Sequence, residues 1–132
     1  MPLPVAGARA VSLENHLALV AMRSGHGNPD VMSCLLKSVY LACFLHEAVH
    51  GHIGLEPFRE AEGALTRCVM QAELSEEWLL PDDENTILAR ILTLHDQQLA
   101  SMPAHLVTAA RERLYRFIAS DVGSPIPPER AA

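Results

Sequence analysis

The chain has 132 residues, of which 49% are hydrophobic and only 5% aromatic, and its formal net charge at pH 7 is −6. Such a length corresponds to a single domain, and a core that is rich in aliphatic side chains but poor in aromatic rings favours helices over β-sandwiches. The negative charge argues against nonspecific nucleic-acid binding, because that binding depends on cations that neutralise phosphates.

The cysteines and the N-terminal sequence predict a soluble cytoplasmic protein. Cys34, Cys43 and Cys68 are an odd number of thiols within apolar helical patterns, which indicates reduced thiols rather than a disulfide framework. The opening MPLPVAGARA has neither the basic cluster nor the apolar stretch of a secretion signal. The longest apolar run, Val31 to Leu45, is interrupted by polar residues and is too short to span a bilayer. Arginine and alanine are abundant, which suggests a bacterial genome of high GC content.

The pattern along the chain predicts one helical domain between two flexible ends. We expect a flexible N-terminus over residues 1–11, a single domain over residues 12–122, and a flexible tail over residues 123–132, where prolines block regular structure. No segment shows the alternation of a β-strand. The predicted fold is therefore an all-α bundle of about five helices.

The first two predicted helices are separated by the glycines of the segment SGHG. The first covers about Leu13 to Ser24 with Ser12 as its N-cap, and its apolar residues share one face: Leu13, Leu17 and Val20. The second has Asn28 as N-cap and Pro29 in its first position, and it continues to His50. This second helix is apolar on nearly every side, so we expect it at the centre of the bundle. Because four helices can hardly cover it, we also expect a homodimer.

Three more helices are predicted in the second half of the chain. The third begins at Pro57 and reaches about Leu74, the fourth covers about Asp83 to Ser101, and the fifth begins at Pro103 and ends near Asp121. Apolar residues at spacings of three and four predict the buried face of each. They are Phe58, Ala61, Leu65, Cys68 or Val69, and Ala72 on the third; Ile87, Leu88, Ile91, Leu92 and Leu99 on the fourth; and Leu106, Ala110, Leu114, Phe117 and Ile118 on the fifth.

A short motif near the end of the second helix suggests metal chemistry. Residues 46–50 read HEAVH, and histidines four positions apart lie on one face of a helix, so His46 and His50 could bind the same ion. The motif resembles the zinc-binding sequence of the zincin metallopeptidases. That resemblance implies zinc on both histidines and Glu47 as the base that activates a metal-bound water. The third ligand is left open among several residues: Cys43, His52, Glu56, Glu60, Glu62 and His95.

Other observations favour a structural role for the same motif. A chain with seven histidines also produces H-E-x-x-H by chance. The Gly and His that extend the motif in metzincins are replaced here by Ile53 and Glu56, and no strand is predicted to hold a substrate. Histidines in the last turns of a helix can instead interact with its dipole or with a free carbonyl. We therefore predict no cofactor, with zinc as the alternative.

The second candidate site is a predicted partner-binding segment. Between Glu73 and Glu84 there are six acidic residues and no basic one, and Trp78, Leu79 and Leu80 lie in the middle. An apolar anchor surrounded by acids suits a basic, amphipathic partner, because tryptophan is favoured in interface hot spots. In the alternative interpretation, these residues fold back onto the next helix and the acids line its N-terminus.

A basic face on the fifth helix does not alter the predicted function. It consists of Arg111, Arg113 and Arg116, and we expect these side chains to be solvated or paired with the acidic segment. We therefore predict a small noncatalytic regulatory or adaptor module that binds another protein and forms a homodimer. The rival prediction is a zinc-dependent hydrolase that uses His46, Glu47 and His50.

Overall fold

A computed structural model describes residues 5–120 and 123–127 and confirms the all-α bundle. Its five helices are α1 (Val5–Arg23), α2 (Pro29–His50), α3 (Glu56–Ser75), α4 (Asp82–Ser101) and α5 (Ala104–Ile118). The described residues contain no β-strand.

The apolar helix α2 is the centre of the bundle, as predicted. At its start, the side-chain oxygen of Asn28 accepts a hydrogen bond of 2.9 Å from the backbone N–H of Val31. At its end, Gly51 has a φ of 65°, a left-handed value that favours glycine, and its N–H donates to the carbonyl of Glu47. Between these caps, α2 packs against each of the other four helices. The ten residues that it buries include an unbroken run, residues 38–45.

The length of α2 bears on the expected location of the protein. The helix α2 has 22 residues, and its most apolar 18-residue window has a mean hydropathy of 1.3, so α2 is long and apolar enough to cross a membrane by length and composition alone. In the structure, 56% of its most apolar 18-residue window is buried inside the bundle, and the core helix of a globular protein meets the same criterion. The shortness of the Val31–Leu45 run is therefore a weaker argument against a membrane span than the sequence suggested. The cytoplasmic location stays a prediction.

The first helix differs from its prediction in both its start and its buried face. Residues 5–11 are helical rather than irregular, so Ser12 lies inside α1 and does not cap it. The predicted apolar face, Leu13, Leu17 and Val20, is turned to solvent, with exposed fractions of 62%, 56% and 59%. The opposite face is buried: Asn15, Ala18, Leu19 and Met22. This orientation lets Asn15 bond across to Ser38 of α2 while Leu19 and Met22 enter the core.

The start of the predicted flexible tail packs against the bundle. Ile126 is buried in the core cluster, and the guanidinium of Arg59 donates to the carbonyl of Pro127 at 2.9 Å. The hydroxyl of Ser124 donates to the carboxylate of Glu62 at 2.7 Å, and the hydroxyl of Tyr40 donates to the same oxygen at 2.6 Å. Residues 123–127 are therefore held by Arg59 and Glu62 of α3 and by the burial of Ile126. The predictions for residues 1–4 and 128–132 lie outside the described residues.

Candidate functional site

The two histidines of the HEAVH motif lie together near the end of α2. Their ring centres are 4.6 Å apart, and the ring of Phe58 lies 5.2 Å from that of His46. The Nε2 atom of His46 lies 2.7 Å from the carbonyl oxygen of Ile53, just beyond the helix. A carbonyl only accepts, so Nε2 must carry the proton and donate. His46 thus holds the loop after α2 against the helix end.

The glutamate of the motif is part of an ion pair in which the carboxylate is buried and the guanidinium is 42% exposed. The Glu47 side chain is only 8% exposed, and one of its oxygens lies 2.7 Å from a guanidinium nitrogen of Arg113 on α5. The guanidinium carbon of Arg113 also lies 4.0 Å from the ring centre of Phe44, in a cation–π arrangement. His52 approaches the same carboxylate oxygen at 3.8 Å. Glu47 therefore joins α2 to α5. We had expected Arg113 to be solvated or paired with the acidic segment, and it pairs with Glu47 instead.

Cys43, a candidate third ligand, is a buried and protonated thiol. Its sulfur is 3.7 Å from the other oxygen of Glu47. Burial, and then the neighbouring carboxylate, raise the pKa of Cys43 to about 12. Only the thiolate is an effective nucleophile, so this sulfur is poorly suited to that role at neutral pH.

The motif therefore lacks a completed metal site in this conformation. Within residues 5–120 and 123–127, no group of three or more His, Cys, Asp or Glu side chains is arranged to hold a metal ion. Of the other candidate third ligands, Glu62 binds Tyr40 and Ser124, and His95 is buried on α4 against Gln98. Zinc binding by His46 and His50 would need a further ligand to move in.

Metal addition tests this interpretation of the motif. We expect that zinc added to protein purified without chelator leaves the midpoint of thermal unfolding unchanged, because a ligand stabilises a protein only by binding its folded state. The control is the His46→Ala/His50→Ala double variant, measured in the same way. Near-stoichiometric zinc in the parent, absent from the double variant, would contradict the expectation and support the zinc alternative.

The predicted partner anchor is divided between the surface and the core. Leu80 is buried, Trp78 is partly buried against the core, and Leu79 is 49% exposed. Trp78 packs against Gly27: a Cβ atom built on that glycine would lie 2.6 Å from Trp78 Cβ. In this conformation a partner could therefore reach Leu79 and part of Trp78 but not Leu80.

The acidic segment around this anchor is partly neutralised within the chain. Arg67 of α3 donates to Glu84 at 2.7 Å, and Arg23 of α1 lies 4.0 Å from Asp82. Asp82, Asp83 and Glu84 occupy the first turn of α4, where acids favour the positive end of the helix dipole. The arginines that pair with the segment therefore come from α1 and α3 rather than from α5.

A polar cavity that is open to solvent, and that the sequence did not predict, lies where α1, α2, α4 and α5 meet. Its volume is about 450 Å³, and Asn15, Cys34, Ser38 and His95 are among the residues that line it. The side-chain oxygen of Asn15 accepts from Ser38 at 2.9 Å and from the Cys34 thiol at 3.7 Å. Ser38 also lies 2.8 Å from the carbonyl of Cys34, so its single proton is shared between two acceptors. The Asn15 amide nitrogen is buried and has no hydrogen-bond partner among the described residues.

The tautomer of His95 follows from its neighbour. The side-chain nitrogen of Gln98 donates to the carbonyl of Ala42 at 3.0 Å, so the Gln98 oxygen faces Nδ1 of His95, also at 3.0 Å. Nδ1 must then carry the proton, and Nε2 keeps its lone pair. Burial lowers the pKa of His95, against smaller opposing effects of Gln98 and Asp96, and the ring is neutral at pH 7.

The lowered pKa of His95 predicts a loss of stability in acid. The unfolded chain takes up this proton near the usual value of 6.5, whereas the folded chain takes it up only at lower pH. The stability that the neutral His95 ring contributes is therefore fully present above pH 6.5 and is lost as the pH falls below that value. Its contribution to the free energy of unfolding falls by at most about 1.4 kcal/mol per pH unit. Urea unfolding at a series of pH values should show a shallower fall for His95→Gln than for the parent. His105→Gln, at an exposed position on α5, should follow the parent; equal slopes for all three proteins would refute the assignment.

Comparisons with protein families, with curated proteins and with solved structures gave no match to this chain. The functional interpretation therefore depends on the arrangement of its own residues.

Proposed function

We propose that the protein is a noncatalytic interaction module that forms a homodimer through the outward face of α1. The observation that carries the proposal is a row of exposed apolar side chains on this helix, which we call the α1 seam: Ala10, Leu13, Leu17 and Val20. Their spacings of three, four and three residues are those of a coiled-coil contact between two helices.

The exposure of the seam is unusual for a helix already docked in a bundle. More than half of each large seam side chain is open to solvent, while the opposite face of α1 is buried against α2 and α4. Covering such a surface is favourable, at roughly 25 cal/mol per Å² of apolar area removed from water. A second helix with the same pattern would cover it.

The charges beside the seam favour a parallel pair of identical helices. If Leu13 and Val20 take the d positions of a heptad, Arg9 falls at a g position and Glu14 at the following e position. In a parallel dimer these positions face each other across the seam, so Arg9 of one copy lies beside Glu14 of the other. Both residues are exposed and available for this contact. The charge pattern therefore supports a second copy of the chain as the occupant.

The small size of the seam implies a weak dimer. Three large side chains and one alanine provide much less contact than the roughly 1,600 Å² buried in a typical stable complex. We therefore expect an equilibrium between monomer and dimer that shifts on dilution, as suits a regulatory module.

Sedimentation velocity over a series of protein concentrations tests the proposal. The parent should shift from monomer towards dimer as its concentration rises, and Leu13→Glu/Leu17→Glu should remain monomeric throughout. The matched control is Met70→Glu/Leu74→Glu, which makes the same chemical change at two exposed positions of α3 and should behave like the parent. A parent that is monomeric at every concentration, or a seam variant that still dimerises, would refute the homodimer.

The zinc hydrolase remains the second candidate because the rings of His46 and His50 lie together on one helix face. In that function Glu47 would act as the base. It would first have to release Arg113, and His46 would have to release the carbonyl of Ile53 or bind through its other nitrogen. These requirements are the reason for placing it second.

A further inference from the structure

We propose that the surface formed by the end of α3 and the segment after it binds a basic amphipathic helix of another protein. We call this surface the α3 patch, and its apolar side chains are Met70, Leu74 and Leu79. The proposal builds on the noncatalytic interaction role proposed above but does not depend on the homodimer, because the α3 patch shares no residue with the α1 seam.

The α3 patch is an exposed apolar surface on a helix whose other side is already docked in the bundle. Met70, Leu74 and Leu79 are 57%, 86% and 49% exposed. Met70 and Leu74 are four positions apart on α3, so they lie side by side on one face. Leu79 lines a groove together with Gln71, which lies one turn before Leu74. Gln71 therefore links Leu79 to the apolar side chains of α3.

The charges around the α3 patch are acidic. Arg67, which lines the same groove as Leu79, already donates to Glu84 at 2.7 Å. Four further acids beside the patch are exposed and have no ion-pair partner among the described residues: Glu73, Glu76, Glu77 and Asp83. An apolar surface with an acidic rim is complementary to a helix that carries apolar residues on one face and lysine or arginine beside them.

The same charges disfavour the other classes of occupant. Two copies of the α3 patch placed face to face would bring the acids of one copy against those of the other, and like charges across an interface are unfavourable. Nucleic acids and anionic membrane surfaces would be repelled for the same reason. A basic helix from another protein suits both the apolar and the charged residues of the α3 patch.

Fluorescence anisotropy of a labelled peptide tests the α3 patch in the full chain. The probe contains only leucine and lysine, with the leucines at spacings of three and four so that they form one face of a helix. We expect saturable binding with a dissociation constant in the micromolar range. The control peptide has glutamate in place of every lysine and should not bind. No saturable binding of the basic peptide, or equal binding of the two peptides, would overturn the proposal.

A pair of double variants tests the apolar part of the α3 patch. Met70→Ser/Leu74→Ser removes two exposed apolar side chains and should weaken binding of the basic peptide roughly tenfold. Val49→Ser/Ile53→Ser makes a comparable change at two exposed positions near the end of α2 and should bind like the parent. Equal affinity of the two variants for the peptide would refute the role of the apolar side chains.

A second pair separates the acidic rim from a general attraction to an acidic protein. Glu73→Gln/Glu77→Gln should weaken binding roughly fivefold, since each exposed charge contributes about 0.5 kcal/mol. Glu56→Gln/Glu60→Gln removes the same charge from the start of α3 and should bind like the parent. If both variants lose affinity equally, the attraction is not specific to the α3 patch and the proposal is wrong.

The proposal and the homodimer can fail separately. Leu13→Glu/Leu17→Glu, which should be monomeric, should still bind the basic peptide with the affinity of the parent. Met70→Ser/Leu74→Ser should keep the monomer–dimer equilibrium of the parent in sedimentation velocity. A parent that dimerises without binding the peptide, together with a loss of dimer in Met70→Ser/Leu74→Ser, would assign the α3 patch to a second copy of the chain and overturn the proposal.

Discussion

Replacing Arg113 with methionine should lower the free energy of unfolding by about 3 kcal/mol, because it leaves the carboxylate of Glu47 buried without its partner. The 2.7 Å contact and the 8% exposure of Glu47 place this pair apart from surface salt bridges, which contribute at most about 1 kcal/mol, and the 42% exposure of Arg113 keeps the expected loss at the lower end for a buried pair. Methionine keeps an apolar stem over the ring of Phe44, so the loss reflects mainly the missing charge. Urea unfolding followed by circular dichroism measures the effect.

A double-mutant cycle shows whether the pair itself is responsible. Glu47→Gln in the Arg113→Met background removes the unpaired charge and should recover a large part of the lost stability. Arg116→Met, at an exposed position on the same helix, should change stability by less than about 0.5 kcal/mol. Should Arg113→Met prove as mild as Arg116→Met, the Glu47–Arg113 bond would have no structural importance, and Glu47 would be free for the zinc alternative.

Replacing Gly27 with alanine should lower the free energy of unfolding by about 2 kcal/mol, since the added methyl group enters occupied space. It would lie 2.5 Å from the sulfur of Met22 and 2.6 Å from Trp78 Cβ. The thioether can rotate away, but a Cβ atom is fixed to the backbone, so the segment that carries Trp78 must move. The chain has a single tryptophan, so its fluorescence should shift to longer wavelength in the folded variant as the ring gains exposure.

Gly63→Ala is the matched control for this substitution. Gly63 lies within α3, where a new Cβ would meet only the tip of the Arg67 side chain, at 3.3 Å. Alanine is the better helix former by up to about 1 kcal/mol, so this variant should be as stable as the parent or more stable. If Gly27→Ala behaves in the same way, the close packing of Trp78 on Gly27 is not a constraint on the fold.

Local signals in the sequence predicted most of the fold. The second helix begins and ends where its two cap residues, Asn28 and Gly51, predicted. The buried stripe of α3 was also correct, because Phe58, Ala61, Leu65, Cys68 and Ala72 form its buried face. On α5, Val107 is fully buried whereas the predicted Ile118 is 49% exposed, although the neighbouring Phe117 packs against the core.

The wrong buried face of α1 and the contacts that were not predicted have a common physical cause. Apolar spacing identifies an apolar face but does not say what will cover it, and α1 has two such faces. The hydrogen bond from Ser38 to Asn15 and the packing of Met22 fix which face enters the bundle, and both depend on contacts between residues distant in sequence. The same limit applies to Glu47, whose partner Arg113 is 66 positions away. Only a weak signal in the sequence could have predicted the cavity: Ser38 and His95 are polar residues on otherwise apolar helix faces.

The central position of α2 has a consequence for how the protein comes apart. Because every other helix packs on α2 and the buried apolar residues form one cluster, no helix can leave without exposing part of the surface of α2. Unfolding should therefore be a single cooperative event, with partial opening confined to the chain ends and the connecting segments. The backbone amides at the middle of α2 would then exchange with solvent only when the whole molecule unfolds, and their exchange rates would report its global stability.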